Sequence, residues 1–578
     1  MLTTKAKKFW PIADWPTILA LGGVAGVYLW LAFGVLPTGG YWSVDNGYKR
    51  IQADNIRFTP WLDLSIDYPG RRLDPSLRYV PFGLLFHYVW RGEIHLTQSP
   101  AIAIVGKPFT EWLGGRGELV VPMLSGLVSL WLTSKVMRKL DAHPAWIGVL
   151  LTGLATPLIF YSLNFWEHTL GVALGLGAVA LALEEAEQPP VWRNYWLSGA
   201  LAALAGGVRK ELLMLALMLG SVLAFDVLKR RRGVRYLALW AGGCAAVLVI
   251  LEAFSYINSG NIIPPELRVS VTPQYTPRAY ILVHGAGSIA HFLFGPTSGW
   301  IGYWLTIALG AYGLAQWIAS APLRGAIQGI ALAALGLGTW SLAQQYARDG
   351  NVYGVLNVSP FLALGFAPGA MNASAARRLF IIVFGFWGLA VLGLGLLTAT
   401  GPWHSAQEWG ARFMLVVFPV ATVWAVSGLR RIWEQASESW LARLQFLAGL
   451  GMIGVSVYVQ SLGVGEIYAR VAEQREAQAA ALALPETQVI TNLDWLAPHM
   501  PKLYAAKEIF LVQSHQGLAA CLKANYAQGA RTAVFISTGM LAETLLPELA
   551  PPGARLVIVE TQQLGVKLYA TRLALRPP

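Results

Sequence analysis

The sequence predicts a polytopic α-helical membrane protein that carries a small α/β domain at its C-terminal end. Three observations lead to this. The chain of 578 residues is 55% hydrophobic and only 13% charged, with a mean hydropathy of +0.50, whereas soluble domains carry about 25% charged residues. Its apolar residues gather in runs long enough to cross a hydrocarbon core of about 30 Å. That character vanishes after residue 464, where short β-rich stretches alternate with polar turns.

Taken in order, MLTTKAKK precedes the first apolar run, 16–36, and no small-residue cleavage site follows, so this run reads as an uncleaved first span. Further runs occur at 118–136, 145–163, 169–186, 210–228, 235–256, 300–320, 325–342, 353–370, 379–398, 413–428 and 445–462, with a shorter one at 196–207. Lys5, Lys7 and Lys8 place the N-terminus in the cytoplasm. Every other loop is then basic: Lys135 to Lys139, Arg193, KRRR at 229–232, Arg324, Arg377 and Arg378, Arg430 and Arg431. The parity closes only if 196–207 is a span, which gives about thirteen spans and an external C-terminus. The expected setting is a bacterial plasma membrane.

This topology divides the chain into a transmembrane region, 1–463, and an extracytoplasmic domain, 464–578. The first external loop, 37–117, is expected to hold amphipathic juxtamembrane helices, with LRYVPFGLLFHYVW (77–90) lying along the interface. A short external turn follows around Asn164 to His168, then a proline-rich loop at 257–299. In the tail, TQVIT, EIFLV, RTAVFIS, RLVIVE and VKLYATRL read as strands, and 514–527 and 539–548 as helices. The stretch GEIYARVAEQREAQAAALAL is a helical linker. No GxGxxG or GxxxxGK[ST] fingerprint is present.

Composition excludes several classes. The net charge of +12 is scattered over short loops rather than gathered in one block, which argues against nucleic-acid binding. The 24 Trp and 21 Tyr suit interfacial belts. Cys244 sits in an apolar run and Cys521 in the polar tail, so no disulfide is expected. Acids are nearly absent from the spans, and Glu252 lies near an outer end. An ion-coupled transporter keeps such acids near the midplane, in broken helices of paired halves.

The external loops hold Asp45, Lys49, Asp54, Asp74 and Arg78, then Glu167 and His168, then Arg209, Lys210 and Glu211, then His404 and Arg412. Asp45, followed by Asn46-Gly47, fits a turn or a helix N-cap, and it fits an i,i+4 pair with Lys49. Glu167 and His168 fit an interfacial helix start, where a carboxylate meets the positive end of the dipole. Arg209 and Lys210 fit snorkelling cations or a phosphate site, and Arg412 fits the same two roles. A carboxylate base working beside a phosphate leaving group suits this set better than a Ser-His-Asp arrangement, and GxSxG is absent.

These pieces, in this order, resemble the GT-C glycosyltransferases that use polyprenyl-phosphate sugars, especially the protein O-mannosyltransferase-like and lipid A aminoarabinose transferase families. The resemblance rests on VDNGYK (Asp45), FWEH (Glu167, His168), GGVRKE (Arg209, Glu211), LFGPTSGW at 293–300 and WGARFMLVVFP at 409–419. It implies a GT-C-like fold and inverting transfer of a sugar from a polyprenyl-phosphate donor to a lipid, glycan or protein hydroxyl. It implies Asp45 as base or acceptor clamp, and Glu167 and His168 as acceptor-positioning or metal-linked groups. Arg209, Lys210 and Arg412 fall around the phosphate, and Tyr48, Lys49, Glu211 and His404 complete the candidate substrate-binding set. No cofactor is required, and a divalent metal is left open. Asn46 stands where the mannosyltransferases often show a second acid, and YARDGNVYGVLN at 346–357 lacks the arginine that many relatives carry after a similar YG. The competing classes are a lipid-linked saccharide transporter or flippase, a cell-envelope scaffold, and an oligosaccharide transferase.

Overall fold

A computed structural model describes residues 14–58, 62–184, 191–229, 232–261, 293–295, 298–318, 320–348, 352–366, 378–379, 381–386, 388–389, 409–437 and 439–577. The N-terminal lysines, His404, most of 257–299 and most of 379–398 lie outside them.

Helix α1 (Trp15–Trp30) begins at Asp14, whose Oδ1 accepts from the Thr17 backbone N–H at 3.2 Å. This satisfies one of the amide groups that a helix start leaves unpaired. The first loop then folds into α2 (Val44–Asn55), the hairpin β1 (His87–Trp90) and β2 (Glu93–Leu96), and α3 (Ala101–Leu113). Arg91 and Gly92 turn the hairpin, both at positive φ. Apolar helices follow: α4 (Val120–Lys139), α5 (Ala145–Leu154), the short α6 (Leu158–Ser162), α7 (His168–Glu184), α8 (Trp192–Val208), α9 (Leu212–Leu228) and α10 (Val234–Ser259). The later ones are α11 (Gly299–Leu314), α12 (Ala321–Arg348), α13 (Val417–Ala436) and α14 (Trp440–Ala483).

Among the described residues, five helical segments are long and apolar enough to cross a membrane: Trp15–Val35, Ala101–Lys139, Val234–Ser259, Pro322–Gln345 and Trp440–Ala483. The chain is an integral membrane protein. Several expected spans are not single helices. The run 145–163 breaks between α5 and α6 at Pro157, which has no N–H to continue the ladder. The run 353–370 is a four-residue helix, Val355–Val358, followed by a 3-10 segment, Pro360–Phe366.

The C-terminal domain is built on β3 (Gln488–Thr491), β4 (Glu508–Leu511), β5 (Thr532–Ser537), β6 (Arg555–Gly565) and β7 (Leu568–Arg576), in the order β4-β3-β5-β7-β6. The first three are parallel, and β7 runs antiparallel to both of its neighbours. All five expected strands are present. Helix α15 (His515–Ala527) matches 514–527, whereas 539–548 yields only a 3-10 turn and the start of the short helix Leu546–Leu549. Cys521 is buried in this domain, and Cys244, on α10, donates to the Gly199 carbonyl of α8.

The expected boundary at 463–464 falls inside α14, which runs unbroken for 44 residues. At 1.5 Å per residue it is about 66 Å long, twice the hydrocarbon thickness. Its far half holds the first loop. Gln474 Oε1 accepts from the Tyr41 backbone N–H at 3.1 Å, Gln478 donates to the Gly39 carbonyl at 2.8 Å, and Arg470 lies over the Trp42 ring.

The stretch 77–90 departs from expectation. It forms turns and then β1 rather than an interfacial helix, because Tyr79, Phe82 and Phe86 pack inward on the C-terminal domain. Phe82 lies 5.2 Å from Tyr504 and 5.7 Å from Tyr48. Tyr48, Phe82, Ile490 and Phe510 belong to one hydrophobic core, so loop and domain are built around shared apolar residues. Helix α2 also packs against Leu496–His499 so closely that a Cβ on Gly47 would overlap the Pro498 carbonyl.

Candidate active site

Helix α2 starts with Ser43 and Asn46. Asn46 Oδ1 accepts from both the Ser43 backbone N–H (3.1 Å) and the Ser43 hydroxyl (2.9 Å), and its Nδ2 donates to the Phe165 carbonyl. The residue beside Asp45 is therefore a buried structural cap that ties α2 to the turn carrying Glu167.

This start fixes Asp45 in the first helical turn. Its Oδ1 accepts from Gln98 Nε2 at 2.9 Å, and its Oδ2 lies 3.4 Å from Arg412 Nη1. One turn later, Lys49 is buried and does not pair with Asp45. Its Nζ donates to the Ser99 carbonyl at 2.5 Å and lies 3.5 Å from Glu167 Oε2. Glu167 immediately precedes α7, where the helix dipole favours a negative charge. It accepts from Arg209 Nη1 at 3.2 Å, and Arg209 Nε donates to Glu211 at 2.8 Å. Lys49, Glu167, Arg209 and Glu211 thus form a chain of alternating charge behind Asp45. Burial opposes the charge on Glu167, but Lys49 and Arg209 outweigh it and hold its carboxyl below the usual range.

Exposure separates the carboxylates. The Asp45 side chain is 30% exposed, against 5% for Glu167 and 7% for Glu211. Only Asp45 among them can reach a substrate from solvent without rearrangement. Arg412 stands on the 3-10 turn Arg412–Met414, its guanidinium 5.0 Å from the Trp166 ring and 4.9 Å from the Phe413 ring. Such stacking orients a cation while leaving edge N–H groups for an anion. His168 lies between Tyr161 and Trp166, its Nε2 buried without a hydrogen-bond partner among the described residues.

The structure therefore brings Asp45, Lys49, Glu167, His168, Arg209, Glu211 and Arg412 together. It does not bring Tyr48, whose buried ring stacks on Phe86 at 5.2 Å in the core shared with the C-terminal domain. Lys210 points to a neighbouring cavity and not to the ion-pair chain. Asp74 is a turn residue accepting from the Arg78 and Tyr79 backbone N–H groups, and Asp54 pairs on the surface with Arg50. Sequence reasoning missed Gln98 and Ser99, which contact Asp45 and Lys49. The polar Gln-Ser-Pro break between β2 and the apolar face of α3 was the available signal. Among the described residues no three His, Cys, Asp or Glu side chains gather to hold a metal ion.

No family model and no curated protein matches the chain. Among solved structures, it is similar to ArnT from Cupriavidus metallidurans bound to undecaprenyl phosphate, over 97% of this chain and 98% of that one, with 13% identity and a TM-score of 0.51. It is also similar to the Archaeoglobus fulgidus oligosaccharyltransferase in the apo form, over 91% of this chain and 70% of that one, with 12% identity and a TM-score of 0.48. At these identities the likeness to ArnT is one of architecture, and by it the chain has the GT-C fold.

Proposed function

We propose that the chain is an inverting glycosyltransferase that moves a sugar from a polyprenyl-phosphate donor to a hydroxyl acceptor on the external face of the membrane. The observation that carries this reading is the contact of the partly exposed Asp45 carboxylate with the Arg412 guanidinium at 3.4 Å. A single displacement at the anomeric carbon needs both groups. The acceptor oxygen bonds to that carbon as its proton passes to Asp45. The carbon–oxygen bond to phosphate breaks, and the electron pair leaves on polyprenyl phosphate beside Arg412. The ion pair describes the resting site: donor phosphate takes the place of Asp45 at Arg412 and frees the carboxylate to accept the proton.

Lys49, Glu167, Arg209 and Glu211 act in this reading as a rigid floor. Their charges are mutually satisfied, so they position α2 and the Arg412 turn rather than react. The solved structure that shares the fold carries undecaprenyl phosphate, a lipid of the carrier class proposed here.

The test is Asp45→Asn in the purified full chain, assayed with radiolabelled undecaprenyl-phosphate sugars and membrane acceptors. Transfer should fall by about 10²–10⁴-fold, the contribution of a general base, while undecaprenyl phosphate stays bound. Transfer at the wild-type rate would remove Asp45 from the chemistry.

A further inference from the structure

Beside the Gln98–Ser99 strip lies a cavity of about 200 Å³. The hairpin and the start of α3 form one wall, and α8, α9 and α10 form the other. Most of the lining is apolar, but four of its residues carry a buried polar atom with no hydrogen-bond partner among the described residues: Gln52 Oε1, His95 Nδ1, Gln98 Oε1 and Glu252 Oε2. The amide nitrogens of the two glutamines are engaged. Gln52 Nε2 donates to the Gln98 carbonyl at 2.9 Å, and Gln98 Nε2 donates to Asp45. Buried polar groups are nearly always paired, and an orphaned acceptor is costly. Four around one cavity therefore point to a ligand.

Their chemistry narrows it. Three are oxygen acceptors and the fourth is an imidazole nitrogen, so the ligand must present several donors. Lys210 and Glu252 line the same space with opposite charge, so the wall carries no net charge to draw in an ion. A lipid tail would leave every acceptor unpaired. Tyr88 and His95, stacked at 5.3 Å and 17°, add a flat apolar plate to the wall. A neutral ring with several hydroxyls and an apolar face meets all four conditions.

We infer that this cavity binds a polyhydroxylated sugar ring, with its hydroxyls donating to Gln98, Gln52 and Glu252 and its apolar face against the Tyr88–His95 pair. The inference rests on the transferase reading for its link to reaction. Gln98 touches the sugar by Oε1 and Asp45 by Nε2, so occupancy of the cavity is communicated to the carboxylate through one amide. The ring belongs either to the donor or to the acceptor.

The experiment uses the full chain in detergent micelles, with saturation-transfer difference NMR against mannose, glucose, galactose, arabinose and N-acetylglucosamine. At least one should bind the wild type. Glu252→Leu, which removes an orphaned acceptor, and His95→Ala, which removes half of the apolar plate, should each weaken that binding by at least tenfold. Leu213→Trp, which fills the cavity, should abolish it. Melting temperature and binding of undecaprenyl phosphate should hold in all three. Displacement of the sugar by its undecaprenyl-phosphate conjugate, but not by undecaprenyl phosphate alone, assigns the cavity to the donor; displacement by neither assigns it to the acceptor. Unchanged sugar affinity in the variants, or no sugar bound by a wild type that binds undecaprenyl phosphate, overturns the inference and leaves the transferase reading standing. Failure of the wild type to bind undecaprenyl phosphate counts instead against that reading.

Discussion

Asp45 Oδ2 and Arg412 Nη1 meet at 3.4 Å across 367 residues of sequence. One belongs to the helix that follows the first span, the other to the turn that opens α13. Their contact gives the proposed base and the proposed phosphate ligand a common place, and each can be tested through the other.

Arg412→Ala should lower kcat/KM for transfer by about 10²–10³-fold, the usual cost of losing a donor to developing charge, and should raise KM for the polyprenyl-phosphate donor. Arg412→Lys should recover only part of this, because an ammonium cannot reproduce the planar stack on Trp166 and Phe413. Steady-state kinetics with varied donor separates the two. Full recovery by lysine would show that charge alone matters.

Glu167→Gln should act on stability more than Asp45→Asn. It leaves Lys49 buried without its carboxylate and Arg209 with only Glu211, at a cost of about 3–5 kcal/mol. Asp45 is the more exposed acid, and its loss should cost less than half as much. Thermal unfolding in micelles ranks the pair, and the reverse order would contradict the floor assigned to Glu167.

Gly47→Ala sets two effects against each other. Alanine favours a helix by about 1 kcal/mol over glycine, but its Cβ would run into the Pro498 carbonyl, which is backbone and cannot rotate away. The clash should win, at about 1–3 kcal/mol, pushing α2 off the C-terminal domain. Limited proteolysis should then cut faster after α14, and transfer should drop with Asp45 displaced. A more stable variant would mean that the α2–Pro498 packing yields easily.

His499 gives the C-terminal domain a pH dependence. Burial, and then Arg470, push its pKa down from 6.5 to about 4. The unfolded chain takes up the proton first as pH falls, so stability is full above pH 6.5, declines between 6.5 and 4, and levels off below. At about 1.4 kcal/mol per pKa unit the loss is about 3 kcal/mol. Replacing His499 with Gln should flatten this decline in urea unfolding of the full chain followed by the fluorescence of the domain. An unchanged slope would assign the decline to other groups.

Local patterns were readable where neighbours in sequence settle the outcome. The continuous β-branched and apolar runs of RTAVFIS and RLVIVE gave β5 and β6, and the helix start expected near Asp45 is present, though Ser43 is its N-cap and Asn46 completes the capping box. Partners far along the chain were not readable. Asp45 and Lys49 sit at i,i+4, yet each takes a distant partner, Arg412 and Glu167. Tyr48 shares their helix, but its ring was claimed by a core whose other half lies more than 400 residues later. The aromatic stretch 77–90 looked interfacial for the same reason: greasy side chains suit a membrane surface and a docked domain equally.

Helix α14 touches the first loop through Arg470, Gln474 and Gln478, and it carries the sheet beyond them. Each residue of an α-helix turns the chain by about 100° and advances it by 1.5 Å. Removing one residue between the membrane and Arg470 would swing all three contacts off the loop together and rotate the outer domain as a unit. The length of this helix is therefore quantised: its membrane half tolerates insertions and deletions only in near-whole turns, and it acts as a gear whose teeth set the angle between the first loop and the outer domain.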